Sequence, residues 1–430
     1  MDSVDTIFAL SSGAPPAAIG VMRISGPRAF DAVKALAGTL PPARKASLRK
    51  LHDPENGSLL DEALVLVFPG PATATGEDLA ELHLHGGRAV VRGIENALAH
   101  IQGLRRAEAG EFTRRAFANG RIDLNEAEGL ADLLAAETEW QRRSAAAMAG
   151  GAFSAQVEQW REALLRLAAM LEAELDFSDE DDVGEQDYSN ISNGCIELHD
   201  AISGHLNYPP AEKLRDGLRV VLAGPPNSGK STLLNALVSR EAAIVSDIAG
   251  TTRDLIEVPV SLEGIPFLFT DTAGLRDESG DVIELIGMER AERAMAEADM
   301  LLWLGPQGDA PKHTALVQIE AKADLADHTR KSDAIIVSAR TGQGMPELVA
   351  FLVKHARDML PPPDAFALNQ RQRHLLRDTA LFLSHASRAH DPLIMAEELR
   401  QARLALDALT GRASTEDMLD ALFGRFCIGK

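Results

Sequence analysis

One short segment, GPPNSGKS at residues 224–231, constrains the fold of this chain more than any other feature. An apolar run at 218–223 precedes it and leucines at helical spacing follow it, which predicts a strand, a turn and a helix. Glycines in such a turn let backbone N–H groups point inward around phosphates. The lysine reaches the β and γ phosphates, and the serine hydroxyl ligates Mg²⁺. The positive end of the following helix faces the same anion, so the segment predicts an α/β nucleotide-binding domain.

Two further motifs occur in the order expected of a nucleotide hydrolase. The run DTAG at 271–274 ends an apolar strand, so Asp271 can hold the Mg²⁺ shell and the Gly274 amide can sense the γ-phosphate. The run GTTRD at 250–254 lies between the two motifs, where a switch threonine completes the metal shell. Strand and helix patterns alternate from Gly217 onward and predict a parallel sheet.

The base-reading motif points to guanine but departs from the usual pattern. In AKAD at 321–324, Asp324 can accept hydrogen bonds from guanine N1–H and the 2-amino group, and the Lys322 stem covers base and ribose. The run SAR at 338–340 resembles the loop that contacts guanine O6 through its backbone. Asn usually opens the first motif, so Ala321 removes one base contact and one tie to the phosphate loop, at about 1 kcal/mol.

The connection between two predicted strands is unusually short. Only the stretch between Leu304 and Ala315 joins them, whereas adjacent parallel strands normally need a longer, helical crossover. We therefore expect one standard helix of the domain to be missing or minimal.

The residue after the DTAG run is Leu275, which cannot orient an attacking water as a glutamine would. The side-chain oxygen of Asn227 could instead hold a monovalent cation that stabilises developing charge on the phosphates. Carbonyl groups of the loop 246–252 could complete such a site. Alternatively, Asn227 only fills a variable position of the phosphate loop.

Helical patterns flank the α/β unit on both sides. Residues 1–118 are of mixed α/β character, 119–212 are helical, 213–362 form the nucleotide-binding unit, and 363–430 are helical again. This order predicts an insertion, with the two helical segments packing together as one discontinuous domain.

Composition limits the partners and the compartment. The 430 residues include 64 acidic and 43 basic ones, for a net charge of −21, so RNA contact requires local basic patches. The arginine pairs at 105–106, 114–115 and 142–143 are candidates, with solvated surface as the alternative. Two cysteines, Cys195 and Cys427, fit a reducing compartment. No membrane span or signal pattern is evident, so we expect a cytoplasmic protein.

Several regions together resemble one family. The C-terminal run FCIGK at 426–430 is similar to the terminal signature of the MnmE/TrmE family, GTPases that modify the wobble uridine of tRNA. Similarity extends to the segments 19–27, 75–87 and 110–125. Asn227, the GTTRD run and Leu275 resemble potassium-dependent GTPases that are activated by dimerisation of their G domains.

The resemblance implies a tetrahydrofolate-binding and dimerising N-terminal α/β domain, a discontinuous helical domain and an inserted Ras-like G domain. It identifies Glu284 as the residue that positions water, with Lys230 and Asn227 as catalytic partners. Together the motifs and the resemblance assign the nucleotide to Asn227, Ser228, Gly229, Lys230, Ser231, Thr232, Ser246, Asp247, Ile248, Ala249, Gly250, Thr251, Thr252, Asp271, Thr272, Ala273, Gly274, Lys322, Asp324, Ser338, Ala339 and Arg340.

The resemblance also implies ligands for metals and a folate. The potassium ligands would be Asn227, Ser246, Ile248 and Thr251. The magnesium ligands would be Ser231 and Thr252. A folate, in its 5-formyl or 5,10-methylene tetrahydro form, would contact Arg23, Glu81, Arg121 and Lys430. Arg121 replaces a lysine, which keeps the charge and changes the geometry. Cys427 matches the family cysteine, with a one-carbon or redox role and a buried core thiol both open.

The implied function is GTP hydrolysis that gates formation of the 5-(carboxymethyl)aminomethyl group on tRNA wobble uridine. The implied assembly is a homodimer that joins an FAD-dependent subunit of the MnmG/GidA family in a heterotetramer. Two alternatives remain at this point. One is a regulatory or ribosome-assembly GTPase without folate chemistry, and the other is a binding module with degenerate nucleotide affinity.

Overall fold

The computed structural model describes residues 5–176, 188–240, 257–272, 281–325, 334–363, 365–412 and 416–430. Their contacts group into two compact units. One contains the residues up to Ala131 together with Asp407–Lys430, and the other contains Asp132–Leu406. Within the described ranges no helix has the length and apolar character needed to cross a bilayer.

The first unit is built on a six-stranded sheet. In chain order its strands are β1 Thr6–Leu10, β2 Ile19–Ser25, β3 Ser47–His52, β4 Leu59–Phe68, β5 Leu79–His85 and β6 Leu104–Arg106. The spatial order is β3-β4-β5-β2-β1-β6, and all neighbours are antiparallel except the β1–β6 pair. The helices are α1 Ala29–Ala37, α2 Arg88–His100, α3 Glu111–Ala118 and α4 Leu124–Ala135, of which α4 runs past the boundary of the unit.

Alternation along the strands separates an apolar from a polar face. On β5, Leu82 and Leu84 are fully buried with side chains of α1 and α2, whereas Glu81 and His83 lie on the opposite face and are partly exposed. Since successive side chains of a strand point to opposite faces, one face carries the core and the other is free to carry polar chemistry.

The second unit contains most of the other helices and a second six-stranded sheet. Its helices before the sheet are α5 Glu139–Ala149, α6 Ala152–Asp176, α7 Ser189–Leu206 and α8 Ala211–Asp216. Within and after the sheet they are α9 Lys230–Arg240, α10 Asp281–Glu297, α11 Met345–Met359, α12 Gln370–Arg388 and α13 Pro392–Leu409. Helix α13 ends in the first unit, and the last helix, α14 Glu416–Phe423, belongs entirely to the first unit. Helix α12 packs along α7, so helices from both sides of the sheet in the sequence lie together.

The strands of this sheet are β7 Leu218–Ala223, β8 Glu257–Leu262, β9 Ile265–Asp271, β10 Met300–Trp303, β11 Leu316–Glu320 and β12 Ile335–Ile336. They lie in the order β12-β11-β10-β7-β9-β8. The predicted parallel sheet is confirmed for five strands, but β8 is antiparallel to β9 and was not predicted. The two-residue turn at Glu263 and Gly264 explains this hairpin, because both residues have positive φ, 50° and 81°. Positive φ at both positions gives the turn a twist that matches the twist of the flanking strands.

The short connection between β10 and β11 is confirmed, since residues 304–315 contain only a 3₁₀ turn, Gln307–Asp309. His313 stabilises it: the ring Nε2 lies 3.1 Å from the Ala298 carbonyl oxygen, and the Ala315 N–H donates to Nδ1 at 3.1 Å. Gln318 on β11 donates to the Gly305 carbonyl oxygen at 2.7 Å. Side-chain hydrogen bonds thus hold the connection in place of a helix.

A buried guanidinium ties three acidic residues together in the first unit. Arg115 on α3 has a side chain only 8% exposed and forms ion pairs with Asp5, Glu77 and Glu111 at 2.9, 3.1 and 3.0 Å. Burial alone would raise the pKa of the Glu111 carboxyl, but hydrogen bonds from Arg105, the Glu108 N–H and Arg115 outweigh it and the pKa is lowered. The ionised form of this cluster is therefore the one that stabilises the fold.

We expect Arg115→Met to destabilise the first unit by about 3 kcal/mol at neutral pH, because three carboxylates lose their shared partner. Amide hydrogen exchange in α3 should report the loss. Tryptophan fluorescence is unsuitable because Trp140, Trp160 and Trp303 all belong to the second unit.

Acid should reduce the difference in the stability of the first unit between Arg115→Met and the unaltered chain. The folded pKa of Glu111 lies below its ordinary value of 4.5, so its contribution is complete above that value and is lost as the pH falls through the folded pKa. Arg114→Met is the matched control, since its pair with Asp420 has side chains 30% and 60% exposed and should contribute less than about 1 kcal/mol. Equal exchange in all three proteins at pH 7 would contradict the prediction.

Candidate functional site

The phosphate loop lies between β7 and α9, as the motif predicts. Gly224 has φ +149°, and a Cβ there would lie 3.0 Å from the Leu304 carbonyl carbon, so the close approach requires glycine. Gly229 has φ +102°, and Asn227 also has a left-handed backbone, with φ 60°. The backbone of the loop therefore has the curvature that turns its N–H groups toward an anion.

The lysine of the motif lies inside this loop. Lys230 is only 5% exposed, and its Nζ donates to the Gly224 and Pro225 carbonyl oxygens, each at 3.0 Å. These acceptors belong to the loop itself, so the ammonium occupies the concave side where phosphates would be bound.

Two oxygen groups meet beside the lysine. The Ser231 hydroxyl donates to Asp271 Oδ2 at 2.5 Å, which joins the start of α9 to the end of β9. Asp271 and Thr272 are buried, and the Thr272 hydroxyl donates to the Leu222 carbonyl oxygen at 2.9 Å. Hydroxyl and carboxylate oxygens are the ligands that Mg²⁺ prefers, so this pair fits the proposed magnesium position.

The two base-reading loops contact each other. Ser338 is fully buried and its hydroxyl donates to Asp324 Oδ1 at 2.7 Å. This hydrogen bond lowers the pKa of the Asp324 carboxyl, which is thereby kept in the ionised form that accepts from guanine. Ala339 and Arg340 follow in a turn closed by Gly342 N–H donating to the Ser338 carbonyl oxygen at 2.8 Å.

Ala321 has no polar side-chain atom, and the residue after it supplies a tie to the phosphate loop. A Cβ placed on Gly229 would lie 3.6 Å from the Ala321 Cβ, so Ala321 lies beside the phosphate loop but has no polar side-chain atom to bind it. Lys322 supplies a polar tie: its Nζ donates to the Asn227 carbonyl oxygen at 2.6 Å. The motif alone did not indicate this contact, because it depends on the folding of two distant loops against each other.

In the first unit, the structure brings two of the four predicted folate residues together. Arg23 and Glu81 are direct neighbours across β2 and β5, and the Arg23 Nη2 lies 2.9 Å from Glu81 Oε1. The guanidinium lies 5.8 Å from the centre of the Phe112 ring, and His83 Nε2 lies 3.4 Å from Glu81 Oε2. Phe112 and His83 were missed in the sequence. For His83 a signal was available, because it lies two residues after Glu81 on the same strand and therefore on the same face. No such spacing pointed to Phe112, which lies on α3.

The other two folate candidates contact different parts of the same unit. Arg121 Nε donates to the Thr73 carbonyl oxygen at 3.1 Å, and the neighbouring Asn119 Nδ2 donates to that of Thr75 at 2.7 Å. Lys430 ends a tail whose Gly429 carbonyl oxygen accepts from the Ser11 hydroxyl at 2.7 Å. Neither Arg121 nor Lys430 shares a hydrogen bond with the Arg23–Glu81 pair within the described ranges.

Cys427 is exposed, so the alternative of a buried core thiol is wrong. The buried position beside it is taken by Phe426, which packs with Phe423 and Ala127. Cys195 is the buried cysteine, and burial raises the pKa of its thiol to about 11.

All three arginine pairs have carboxylate partners. Arg105 pairs with Asp5 and Glu111, Arg106 with Glu95, Arg114 with Asp420, Arg115 with the buried cluster, and Arg142 and Arg143 with Glu139. These carboxylates neutralise part of the positive charge that a contact with RNA would use.

Comparison with known proteins decides the family. The model of the TrmE N-terminal region, described as a GTP-binding protein, matches residues 6–121, and the model of the MnmE helical domain matches residues 124–427. The chain belongs to the MnmE family. Two relatives named tRNA modification GTPase MnmE support this placement. The Novosphingobium aromaticivorans relative is 58% identical over 99% of this chain and 100% of its own length. The Rhizorhabdus wittichii relative is 59% identical over 99% of this chain and 97% of its own.

Among solved structures, the G domain of the T. maritima FeoB iron transporter is 21% identical, with a TM-score of 0.23. The match covers 32% of this chain and 98% of that one, and a score this low carries no structural argument.

Several residues assigned through the MnmE family lie outside the described ranges. They are Ser246, Asp247, Ile248, Ala249, Gly250, Thr251, Thr252, Ala273 and Gly274. Glu284 falls on α10, and its side chain also lies outside what the structure describes. Within the described part, no group of three or more His, Cys, Asp or Glu residues could hold a metal ion.

The Asp324 carboxylate should decide which base this MnmE-family chain prefers. We expect Asp324→Asn to weaken GTP binding by about 100-fold, because an amide cannot accept two hydrogen bonds from guanine in the same way. Xanthosine triphosphate, which offers a carbonyl oxygen in place of the 2-amino group, should become the better ligand. Affinities for both nucleotides measured by calorimetry test this, with Asp309→Asn at an exposed turn as control. Unchanged preference for GTP would show that Asp324 does not read the base.

Proposed function

We propose that the chain hydrolyses GTP with potassium and magnesium and uses the hydrolysis cycle to gate modification of tRNA wobble uridine. The observation that supports this most is the Ser231–Asp271 contact beneath a loop that already encloses the Lys230 ammonium. These residue types suit the phosphates and the magnesium ion of a nucleoside triphosphate, and the chain belongs to a family whose curated relatives are named tRNA modification GTPases.

In the proposed reaction, water attacks the γ-phosphorus and the bond to the bridging oxygen of GDP breaks, which releases inorganic phosphate. Lys230 neutralises charge on the β and γ phosphate oxygens, and the loop N–H groups orient them. Magnesium, held through Ser231 and Thr252, would supply charge neutralisation between the β and γ phosphates. Glu284 would position the water.

The monovalent cation is proposed because Leu275 cannot orient water and Asn227 offers an oxygen at the phosphate loop. Potassium, held by Asn227, Ser246, Ile248 and Thr251, would supply positive charge where other GTPases use an arginine. The left-handed backbone of Asn227 supports a specific rather than an incidental role for this residue.

The folate proposal depends on the polar face of the first sheet. Arg23 and Glu81 form a paired donor and acceptor there, on a face that α1 and α2 leave uncovered. A tetrahydrofolate has carboxylates for cations and a polar pterin edge for a carboxylate, so the residue types suit it. Arg121 and Lys430 would contribute further cations, and the exposed Cys427 thiol is available for a one-carbon or redox role.

The proposed organisation follows the family. Residues 1–118 would bind the folate and form the homodimer, 119–212 and 363–430 would form the helical domain, and 213–362 the G domain. An FAD-dependent MnmG/GidA-family subunit would complete a heterotetramer in the cytoplasm. The product on the tRNA would be the 5-(carboxymethyl)aminomethyl group.

Potassium dependence tests the hydrolysis proposal. We expect GTP hydrolysis to be at least about tenfold faster in KCl than in NaCl at equal ionic strength, and Asn227→Ala to abolish the difference. Steady-state phosphate release measures both. Equal rates in the two salts would contradict the cation mechanism. If the chain nevertheless binds folate, that binding would still distinguish it from a purely regulatory GTPase.

Folate binding has its own test. Arg23→Met should weaken binding of 5-formyl-tetrahydrofolate by about tenfold or more, since it removes a charged donor and the guanidinium that orients Glu81. Equilibrium dialysis of the full chain measures the affinity. Arg92→Met, exposed on α2 at the other face of the sheet, is the matched control. Equal affinities would move the folate site away from Arg23.

A further inference from the structure

The Glu81 carboxylate on the first sheet is held at both of its oxygens. Arg23 donates to Oε1 through Nη2 at 2.9 Å and through Nε at 3.2 Å, and His83 Nε2 lies 3.4 Å from Oε2. The Glu81 and His83 side chains are only 19% and 31% exposed, so water screens these contacts incompletely. An ionised carboxylate only accepts hydrogen bonds, so the imidazole N–H is the donor in the second contact.

The strand neighbours of His83 offer it no alternative polar contact. Directly across the sheet lie Val21 on β2 and Leu64 on β4, neither of which has a polar side-chain atom. The next histidine on β5, His85, is turned to Asp61, with its Nδ1 2.7 Å from Asp61 Oδ1. The carboxylate two residues earlier on the same strand is therefore the polar side chain that the His83 imidazole contacts in the described ranges.

A buried ring fixes the arginine on the other side of this carboxylate. Phe112 is 3% exposed, and the Arg23 guanidinium lies over its ring, 5.8 Å from the centre. The negative face of an aromatic ring attracts a cation, so the guanidinium is held by both the ring and the carboxylate. Glu81 thus lies between one donor that is itself held by a buried ring and a second donor, the imidazole, on its own strand.

We infer that His83 is a positioning residue for the folate site, where it fixes the Glu81 carboxylate in the orientation that accepts N–H groups of the pterin edge. This inference rests on the proposed binding of a folate by Arg23 and Glu81. Each carboxylate oxygen has two lone pairs, so the two existing contacts leave acceptor capacity for a ligand.

The physical reason is the softness of the last torsion of a glutamate side chain. Rotation of the carboxylate about its bond to Cγ has broad minima, so a donor at one oxygen leaves its plane poorly defined. A second donor at the other oxygen defines the plane before the ligand arrives. Ligand binding then costs less conformational entropy, and the acceptor lone pairs already point where the pterin N–H groups would lie.

The test measures the affinity of the full chain for 5-formyl-tetrahydrofolate by equilibrium dialysis. His83→Leu removes the donor, so we expect binding about fivefold weaker. His83→Gln places an amide N–H the same number of bonds from Cα as Nε2, so its affinity should stay within about twofold of that of the unaltered chain. His100→Leu is the matched control, because His100 is exposed on α2 at the other face of the sheet. Far-UV circular dichroism checks that each variant is folded.

A second comparison shows whether His83 acts through Glu81. In a Glu81→Leu background, His83→Leu should weaken binding further by less than about twofold, because the acceptor that it serves is already absent. Equal effects of His83→Leu in both backgrounds, or no rescue by His83→Gln, would overturn the inference. An unaltered affinity in His83→Leu together with weaker binding in Arg23→Met would also overturn it and leave the folate site intact. Lack of folate binding by the unaltered chain would overturn both proposals.

Discussion

The burial of β7 on both faces is the constraint on which the second unit depends. Val220 and Leu222 pack into one apolar cluster with α9 and α11, while Val221 and Ala223 pack into another with α10. Parallel neighbours β9 and β10 flank the strand. Its faces and edges are therefore all covered, and the phosphate loop, Asp271 and the base-reading loops meet at the carboxyl ends of the parallel strands.

In the first unit, α1 and α2 cover one face of the sheet, and the other face carries polar groups beside a small apolar cluster of Ile7, Ala9, Ala107 and Phe112. Arg23, Glu81 and His83 stand on the polar face, and the Arg115 cluster lies where α3 meets the segment before β5. Desolvation makes these charges costly, and each guanidinium is stable there only because carboxylates accompany it. Cations that are paired with carboxylates attract RNA phosphates only weakly, which agrees with the acidic composition of the whole chain.

Local departures from a familiar pattern are compensated by particular contacts. The missing crossover helix is replaced by hydrogen bonds from His313 and Gln318, and the missing asparagine by the ammonium of Lys322. In both cases a side chain within ten residues of the departure supplies the polar link, so the surrounding sheet keeps its order.

The sequence by itself determined the parallel sheet around β7, the phosphate loop, the short crossover and the family, because each depends on spacing or residue type that is local in the chain. Only the tertiary structure decided that β8 runs antiparallel, that Cys427 is exposed while Phe426 is buried, and that Lys322 contacts Asn227. It also decided that the arginine pairs are engaged with carboxylates, and that Arg23 faces Glu81 but shares no hydrogen bond with Arg121 or Lys430 in the described residues. These features arise from pairing and burial between segments far apart in sequence, which residue spacing does not encode.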